Sequence, residues 1–189
     1  MKKFKLLISG LALCLALASC EDPNLPFQQF PELAYGAVAR LLSPATFAAA
    51  GTFKKADVPG SKLVFTVDFY DEDKGKNVES FAFLVKFTDR KNAGANNKAE
   101  KALVTYNSTQ FTTHPKYGTQ TLDVTITYQQ VLTLLGLTAE QVNVADRFEF
   151  QVVITKKDGK VFKASNTSAE FVNSTGGFGF PMEFRRDVL

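Results

Sequence analysis

The segment KLVFTVDFY at Lys62–Tyr70 carries a large apolar residue at every second position. A period of two directs one set of side chains into a core and the other outward, as in a β-strand with one buried face. The same alternation recurs in SFAFLVKFT at 80–88, TLDVTIT at 121–127 and FEFQVVIT at 148–155. Several short strands separated by turn signals predict an all-β fold, an antiparallel β-sandwich. The predicted core positions are Leu63, Phe65, Val67, Phe69, Phe81, Phe83, Val85, Phe87, Leu122, Val124, Ile126, Phe148, Phe150, Val152 and Ile154.

Turn-forming segments connect these strands. DEDKGKN at 71–77 and DRKNAGANN at 89–97 predict loops. Asp158-Gly159 predicts a type I′ hairpin that leads into a strand at 161–164.

One short helix is predicted within the β-structure. Thr127-x-x-Gln130 is a capping box that opens a helix at 128–135, and Gly136 is suited to end it. The apolar face of this helix either closes one end of the sandwich or faces a ligand.

The first twenty residues have the parts of a bacterial lipoprotein leader. Three lysines among the first five residues precede an apolar run at 6–18, which is too short to be a permanent membrane span. LASC at 17–20 resembles the lipobox of bacterial lipoproteins, in which cleavage precedes an acylated cysteine. The resemblance implies a signal peptide at 1–19 and a covalent lipid on Cys20 that anchors the protein to the outer membrane. An ordinary secreted protein cleaved nearby and an uncleaved anchor are the alternatives.

Segment 20–32 is predicted to be a lipidated tether that joins the anchor to a sandwich domain at 33–189. It contains three prolines and shows no periodicity. Glu21 and Asp22 resemble the acidic export signals of Bacteroidota-type surface lipoproteins. They favour display at the cell surface over the periplasmic face.

Composition excludes several classes of function. Three of the 22 Lys and Arg residues lie in the predicted leader, which leaves 19 basic against 19 acidic residues. A neutral mature chain gives no support for nucleic-acid binding. Of the two cysteines, Cys14 lies in the leader and Cys20 is the lipid site, so no disulfide or catalytic thiol is expected.

Two parts of the sequence resemble known protein families. Segment 137–154, with Asp146-x-Phe148-x-Phe150, resembles the corner before strand F of immunoglobulin-like and fibronectin-III-like domains, which usually have a tyrosine where Phe148 stands. The GAVARLL strand at 36–42, the corner at 134–138 and the KDGKVF hairpin together resemble small accessory lipoproteins of Bacteroidota starch-utilisation-type loci. That resemblance implies a surface lipoprotein beside a TonB-dependent porin and its lid lipoprotein.

One loop has the oxygen donors of a candidate cation site. Asp71, Asp73, Asn77 and Glu79 alternate around Gly75, as ligands for a hard cation such as calcium would. A solvated hairpin turn explains the same residues.

Three tyrosines are candidates for stacking on a ligand. Tyr70 is on the predicted outward face of its strand, and Tyr106 and Tyr117 flank a loop. The chain has no Trp, the residue on which sugars most commonly stack. This absence counts against glycan binding but does not exclude it.

No catalytic motif is present, and the protein is predicted not to be an enzyme. His114 is the only histidine, so a His/Cys metal site of the usual kind is ruled out and any Ser-His-Asp set would have to use His114. No cofactor is expected. The segment 173–189 contains a glycine-rich stretch and alternating apolar residues. It predicts either the last strand of the sandwich or a segment that pairs with a partner's sheet edge.

These features predict a non-catalytic binding or scaffold lipoprotein, accessory to an outer-membrane nutrient-uptake complex. The alternative is a stand-alone surface lipoprotein that binds a glycan or a peptide. A purely structural envelope protein is the third reading.

Overall fold

Two antiparallel sheets form the domain in a computed structural model that describes residues 36–167, 169–172 and 179–189. The predicted signal peptide, Cys20 and the tether lie outside the described residues, as do 33–35 and 173–178. None of the helices in the described ranges has the length and apolar character that a membrane span requires.

Sheet A contains five strands. They are β1 (Val38–Ser43), β2 (Gly51–Thr52), β3 (Lys62–Tyr70), β6 (Thr112–Thr113) and β7 (Gln120–Thr127). The order is β1-β3-β7-β6, and β2 pairs with the start of β3.

Sheet B also contains five strands. They are β4 (Val78–Thr88), β5 (Lys98–Asn107), β8 (Arg147–Lys156), β9 (Val161–Phe162) and β10 (Glu183–Asp187). The order is β10-β8-β4-β5, and β9 pairs with the end of β8.

This strand order matches the immunoglobulin arrangement. In immunoglobulin strand names, the order of sheet A (β1-β3-β7-β6) is A-B-E-D. The order of sheet B (β10-β8-β4-β5) is G-F-C-C′. The predicted all-β sandwich is confirmed. The hydrogen bond of a tyrosine corner is not available at the start of β8, because Phe148 stands there and is fully buried.

Phenylalanine rings fill the space between the sheets. Rings from β3 and β4 meet edge to face, with centroids 5.2 Å apart for Phe69–Phe81 and 6.0 Å apart for Phe65–Phe83. Every core position predicted from the alternation is buried, with at most 5% of the residue exposed. Burying a side chain of this kind contributes about 1.5–3 kcal/mol, so these positions supply a large share of the burial that favours folding.

The helix α1 (Tyr128–Leu135) begins and ends where the sequence predicts. The Thr127 hydroxyl accepts a hydrogen bond from the Gln130 backbone N–H at 3.1 Å, and Gly136 adopts a left-handed conformation at φ 64°. The apolar face of α1 is buried in the core, which favours its role as a cap on the sandwich. A second helix, α2 (Ala169–Val172), precedes β10.

The hairpin at Asp158-Gly159 is present, but the predicted turn type is wrong. Gly159 has a positive φ of 84°, whereas Asp158 is not among the residues with positive φ, and a type I′ turn needs both. The Lys156 N–H instead donates to the Lys160 carbonyl at 2.9 Å across a three-residue loop. Only Gly159 takes a positive φ in this loop, so Asp158-Gly159 adopts the three-residue geometry that the same dipeptide also fits.

Candidate functional site

The candidate cation loop is a tightly hydrogen-bonded turn. One oxygen of Asp71 accepts the backbone N–H groups of Asp73 and Gly75, at 2.7 and 2.8 Å, and the other accepts that of Asn77 at 3.0 Å. Glu79 lies beyond the turn, in β4, where the Ser108 hydroxyl donates to it at 3.4 Å. The carboxylate of Asp71 therefore orders the turn. Calcium binding there stays a prediction.

An ion pair fixes this loop to sheet B. The Lys156 ammonium lies 2.7 and 2.9 Å from the two Glu72 carboxylate oxygens, and the Asn77 side-chain amide donates to Glu72 at 3.1 Å. The hydrogen bond from Lys156 lowers the pKa of Glu72. Within the described part of the chain, no group of three or more His, Cys, Asp or Glu side chains is placed to hold a metal ion.

Two of the three candidate tyrosines come together on the outer face of sheet A. Tyr70 ends β3, and Tyr117 reaches it from the loop between β6 and β7. Both lie against the guanidinium of Arg40, whose carbon is 4.8 Å from the Tyr70 ring centroid and 5.2 Å from the Tyr117 centroid. Tyr106 is not part of this group. It lies on β5, in the other sheet, where burial raises the pKa of its hydroxyl.

Arg40 is fixed by a buried carboxylate. It lies opposite Asp68 in the register of β1 and β3, and two of its nitrogens donate to the Asp68 oxygens at 3.0 and 2.7 Å. The hydroxyl of Thr119 donates to the same carboxylate at 2.9 Å. Asp68 is on the outward side of β3, yet its side chain is 0% exposed. The hydrogen bonds between Arg40 and Asp68 raise the pKa of Arg40 and hold its guanidinium in one orientation.

The loop that covers Asp68 is itself ordered by His114. Its ring stacks on Tyr117 with centroids 4.6 Å apart, and its Nδ1 accepts the backbone N–H groups of Lys116 and Tyr117 at 3.2 Å each. The Lys116 ammonium lies 5.2 Å from the Tyr117 centroid. We call Arg40, Asp68, Tyr70, His114 and Tyr117 the Arg40 cluster.

Sequence reasoning missed Arg40 and Asp68, because their pairing depends on the register of two strands. The one available signal was an acidic residue at an outward strand position next to a tyrosine. In the sequence His114 stands only as an isolated histidine.

A second polar feature crosses the outer face of sheet B. It is a groove of about 440 Å³. Arg185 in β10 lies opposite Glu149 in β8, and Glu149 lies opposite Lys86 in β4, so charges alternate across three strands. The groove is lined by Lys86, Glu100, Glu149, Phe150, Gln151, Glu183, Phe184 and Arg185.

The centre of this charge row is internally paired. The Lys86 ammonium lies 3.1 Å from a Glu149 oxygen, and the Thr88 hydroxyl donates to the other at 2.9 Å. Partial burial alone would raise the pKa of Glu149, but hydrogen bonds from Lys86 and Thr88 outweigh it and the pKa is lowered.

The described residues thus define an all-β sandwich domain with two chemically distinct outer faces. No protein-family model matches the chain. No curated protein matches it either. Among solved structures, it is similar to a bacterial adhesin from Mobiluncus mulieris that contains intramolecular disulfide, isopeptide and ester cross-links, with 11% identity and a TM-score of 0.27. The match covers 82% of this chain and 57% of the adhesin chain, so this chain spans little more than half of that protein's length. At that TM-score it gives no argument about function.

Proposed function

We propose that this protein is a non-catalytic binding or scaffold lipoprotein, anchored in the outer membrane by a lipid on Cys20 and displayed at the cell surface. It acts as an accessory subunit of a nutrient-uptake complex built from a TonB-dependent porin and its lid lipoprotein. The anchor and the tether at 20–32 come from the sequence. The domain supplies the surface that contacts the complex.

The observation that carries the scaffold proposal is the charge row across sheet B. A row of alternating charges has little net field, but it fixes the register of a partner with the complementary order. The groove lies across the paired strands β4, β8 and β10, which suits contact with another protein surface. Glu100, Glu183 and Arg185 at its margin are exposed and available to a partner.

The six carboxyl groups with a resolved shift do not have the raised pKa of a general acid. General acid catalysis at neutral pH needs a carboxyl group whose pKa is raised towards neutrality. Among the described residues, every carboxyl group with a resolved shift has a lowered pKa: Glu72, Asp89, Glu140, Glu149, Asp158 and Asp187.

A crosslinked pull-down of the tagged full-length protein from its native outer membrane tests the proposal. We expect mass spectrometry to recover a TonB-dependent porin and its lid lipoprotein, with both lost in Cys20→Ala. Arg185→Glu should reduce recovery, while Lys62→Glu, an exposed charge change on sheet A, should not. Recovery of the lipidated protein alone would contradict the scaffold role.

A stand-alone ligand-binding lipoprotein is the second candidate, and the Arg40 cluster favours it. Aromatic rings held around fixed polar groups are typical of sites that bind glycans or peptides. Saturable binding of a defined oligomer, without recovery of a porin, would select this candidate.

Calcium at the Asp71 loop is proposed separately and has its own test. Calcium should raise the Tm of the wild-type protein but not that of the double variant Asp71→Asn/Asp73→Asn. The double variant is also expected to melt earlier without calcium, because Asp71 orders the turn. A wild-type Tm unchanged by calcium would exclude the site.

A further inference from the structure

We propose that the Arg40 cluster, together with Lys74 and Lys116, forms a binding site for an acidic glycan, that is, a sugar chain bearing carboxylate or sulfate groups. The inference rests on the second candidate function above and specifies the class of ligand. It commits to a sugar because the site combines aromatic surface with fixed hydrogen-bonding groups, and to an acidic sugar because of its charge.

The aromatic surface is accessible and pre-ordered. Tyr117 is 42% exposed, one of the few large hydrophobic residues exposed to this extent in the described ranges. Its ring is held between loop and sheet by His114 and Arg40. A ring that is ordered before binding loses little conformational freedom when a sugar packs on it. Gly118, at φ 69°, provides the tight turn that brings Tyr117 over the sheet.

The site itself has more cations than anions, since Arg40, Lys74 and Lys116 face the single carboxylate of Asp68, while Asp123 lies further along β7 on the same outer face. The negative charge of Asp68 is offset by the two hydrogen bonds from Arg40. Lys116 reaches over the Tyr117 ring, and the Lys74 ammonium lies 3.6 Å from the position that a Cβ on Gly118 would occupy. Two lysines therefore border the rings without a described carboxylate partner of their own.

The nearest acidic residues along the chain are already engaged. Asp71 follows Tyr70 directly, but its carboxylate accepts three backbone N–H groups. Asp73 pairs with Lys76 at 3.4 Å. The backbone of the two loops is also linked, since the Gln120 N–H donates to the Lys74 carbonyl at 2.9 Å. The loops at 71–77 and 114–119 thus hold the lysines and the rings in one surface.

Isothermal titration of the lipidated full-length protein in detergent tests the inference. The probes are an oligogalacturonate, a heparin-derived sulfated oligosaccharide, a maltooligosaccharide of matched length, and poly-glutamate. We expect saturable binding of at least one acidic sugar, and the two acidic probes distinguish carboxylate from sulfate recognition. The maltooligosaccharide and poly-glutamate should bind at least tenfold more weakly.

Variants assign the binding to this surface. Tyr117→Ala should weaken binding about tenfold, a change of about 1.4 kcal/mol. Lys116→Ala should weaken binding and reduce its dependence on salt. Val161→Ala is the matched control, because Val161 is also 42% exposed but lies in sheet B, and it should bind like the wild type. Circular dichroism and Tm confirm that each variant is folded.

Three results would overturn the inference: no saturable binding of either acidic sugar, equal binding of poly-glutamate or of the neutral sugar, or unchanged affinity in Tyr117→Ala. These binding results test a different proposal from the one that the pull-down tests. Recovery of the porin without glycan binding would reject only this site, whereas glycan binding without the porin would reject only the scaffold role.

Discussion

Replacing Arg40 with Met should destabilise the domain, and adding Asp68→Asn should then restore part of the lost stability. The Asp68 side chain is 0% exposed, and its described hydrogen-bond donors are the Arg40 guanidinium and the Thr119 hydroxyl. In Arg40→Met the carboxylate keeps one neutral donor and loses its counter-charge. In the double variant a neutral amide replaces the carboxylate, and the amide oxygen can still accept the hydrogen bond from the Thr119 hydroxyl.

The magnitude follows from burial. Removing one partner of a buried ion pair costs about 3–5 kcal/mol. The Arg40 side chain is 29% exposed, so water can reach the vacated position and we expect about 3 kcal/mol. Asp68→Asn alone should cost about 1–2 kcal/mol, because it weakens hydrogen bonds to a charged group without stranding a charge in the interior. In the Arg40→Met background the same substitution should stabilise by about 1 kcal/mol, so its effect changes sign.

Urea unfolding of the four proteins of this cycle measures the effect. The slope of free energy against urea should stay constant, and about 3 kcal/mol corresponds to a fall in Tm of roughly 6–12 °C for a domain of this size. Lys62→Met, an exposed cation on the same strand as Asp68, serves as control and should change stability by less than about 0.5 kcal/mol. If Asp68→Asn destabilises both backgrounds equally, the reasoning about a buried, uncompensated carboxylate is refuted.

Three further predictions concern other parts of the domain. Gly75→Ala should destabilise by at least about 1 kcal/mol in urea unfolding, since Gly75 has φ 85° and an added Cβ would lie 2.7 Å from the Phe69 Cβ; wild-type stability would contradict this. Tyr128→Phe should stabilise the domain by about 1 kcal/mol, because the buried Tyr128 hydroxyl has no hydrogen-bond partner among the described residues. Burial, together with the charge of Asp146, raises the pKa of this hydroxyl to about 12. A loss of stability in the variant would show that the hydroxyl has a favourable contact. The lowered pKa of Glu72 means that its pairing with Lys156 stabilises fully above the ordinary value of 4.5 and is lost as the pH falls through the lowered value. The Tm difference between wild type and Glu72→Gln should therefore shrink as the pH falls from neutral to below 4.5, and a constant difference would argue against the linkage.

The sequence was sufficient for the strands that bury one face. In β3, β4, β7 and β8 the apolar residues alternate so regularly that the structure follows the predicted bounds within two residues at either end. The helix α1 was predictable for a different reason, because the cap at Thr127 and the glycine at 136 both mark its ends.

Strand β5 was not predicted from the sequence, because it lies at an edge of sheet B. Its sequence, KAEKALVTYN, places charged residues where an inner strand has apolar ones, and most of its residues are exposed. An edge strand buries only part of one face, so the period of two is weak. The hairpin turn type was missed for a local reason, since Asp-Gly fits two loop geometries that differ by one residue.

The Arg40 cluster lay beyond sequence reasoning for a physical reason. Its members come from β1, β3 and a loop, and Arg40 and Asp68 are 28 residues apart. Asp68 occupies an outward position, which the alternation assigns to solvent, yet it is buried beside Arg40 and Thr119, which both donate to its carboxylate. Tyr70 and Tyr117 could be proposed individually from the sequence, but what joins them is an arginine that the pattern did not single out.

The two outer faces differ in a way that makes the two proposed roles separable. On sheet B the central charges neutralise one another, so that face has little long-range field and contact there depends on short-range register. On sheet A, Lys74 and Lys116 border the rings as cations beyond the Arg40–Asp68 pair, so binding there should weaken as salt rises. Arg185→Glu and Tyr117→Ala lie on opposite faces of the sandwich and share no contact, so their effects should be independent. If both variants impair porin recovery and glycan binding alike, the two faces do not act separately and a single shared mode of binding must replace the division proposed above.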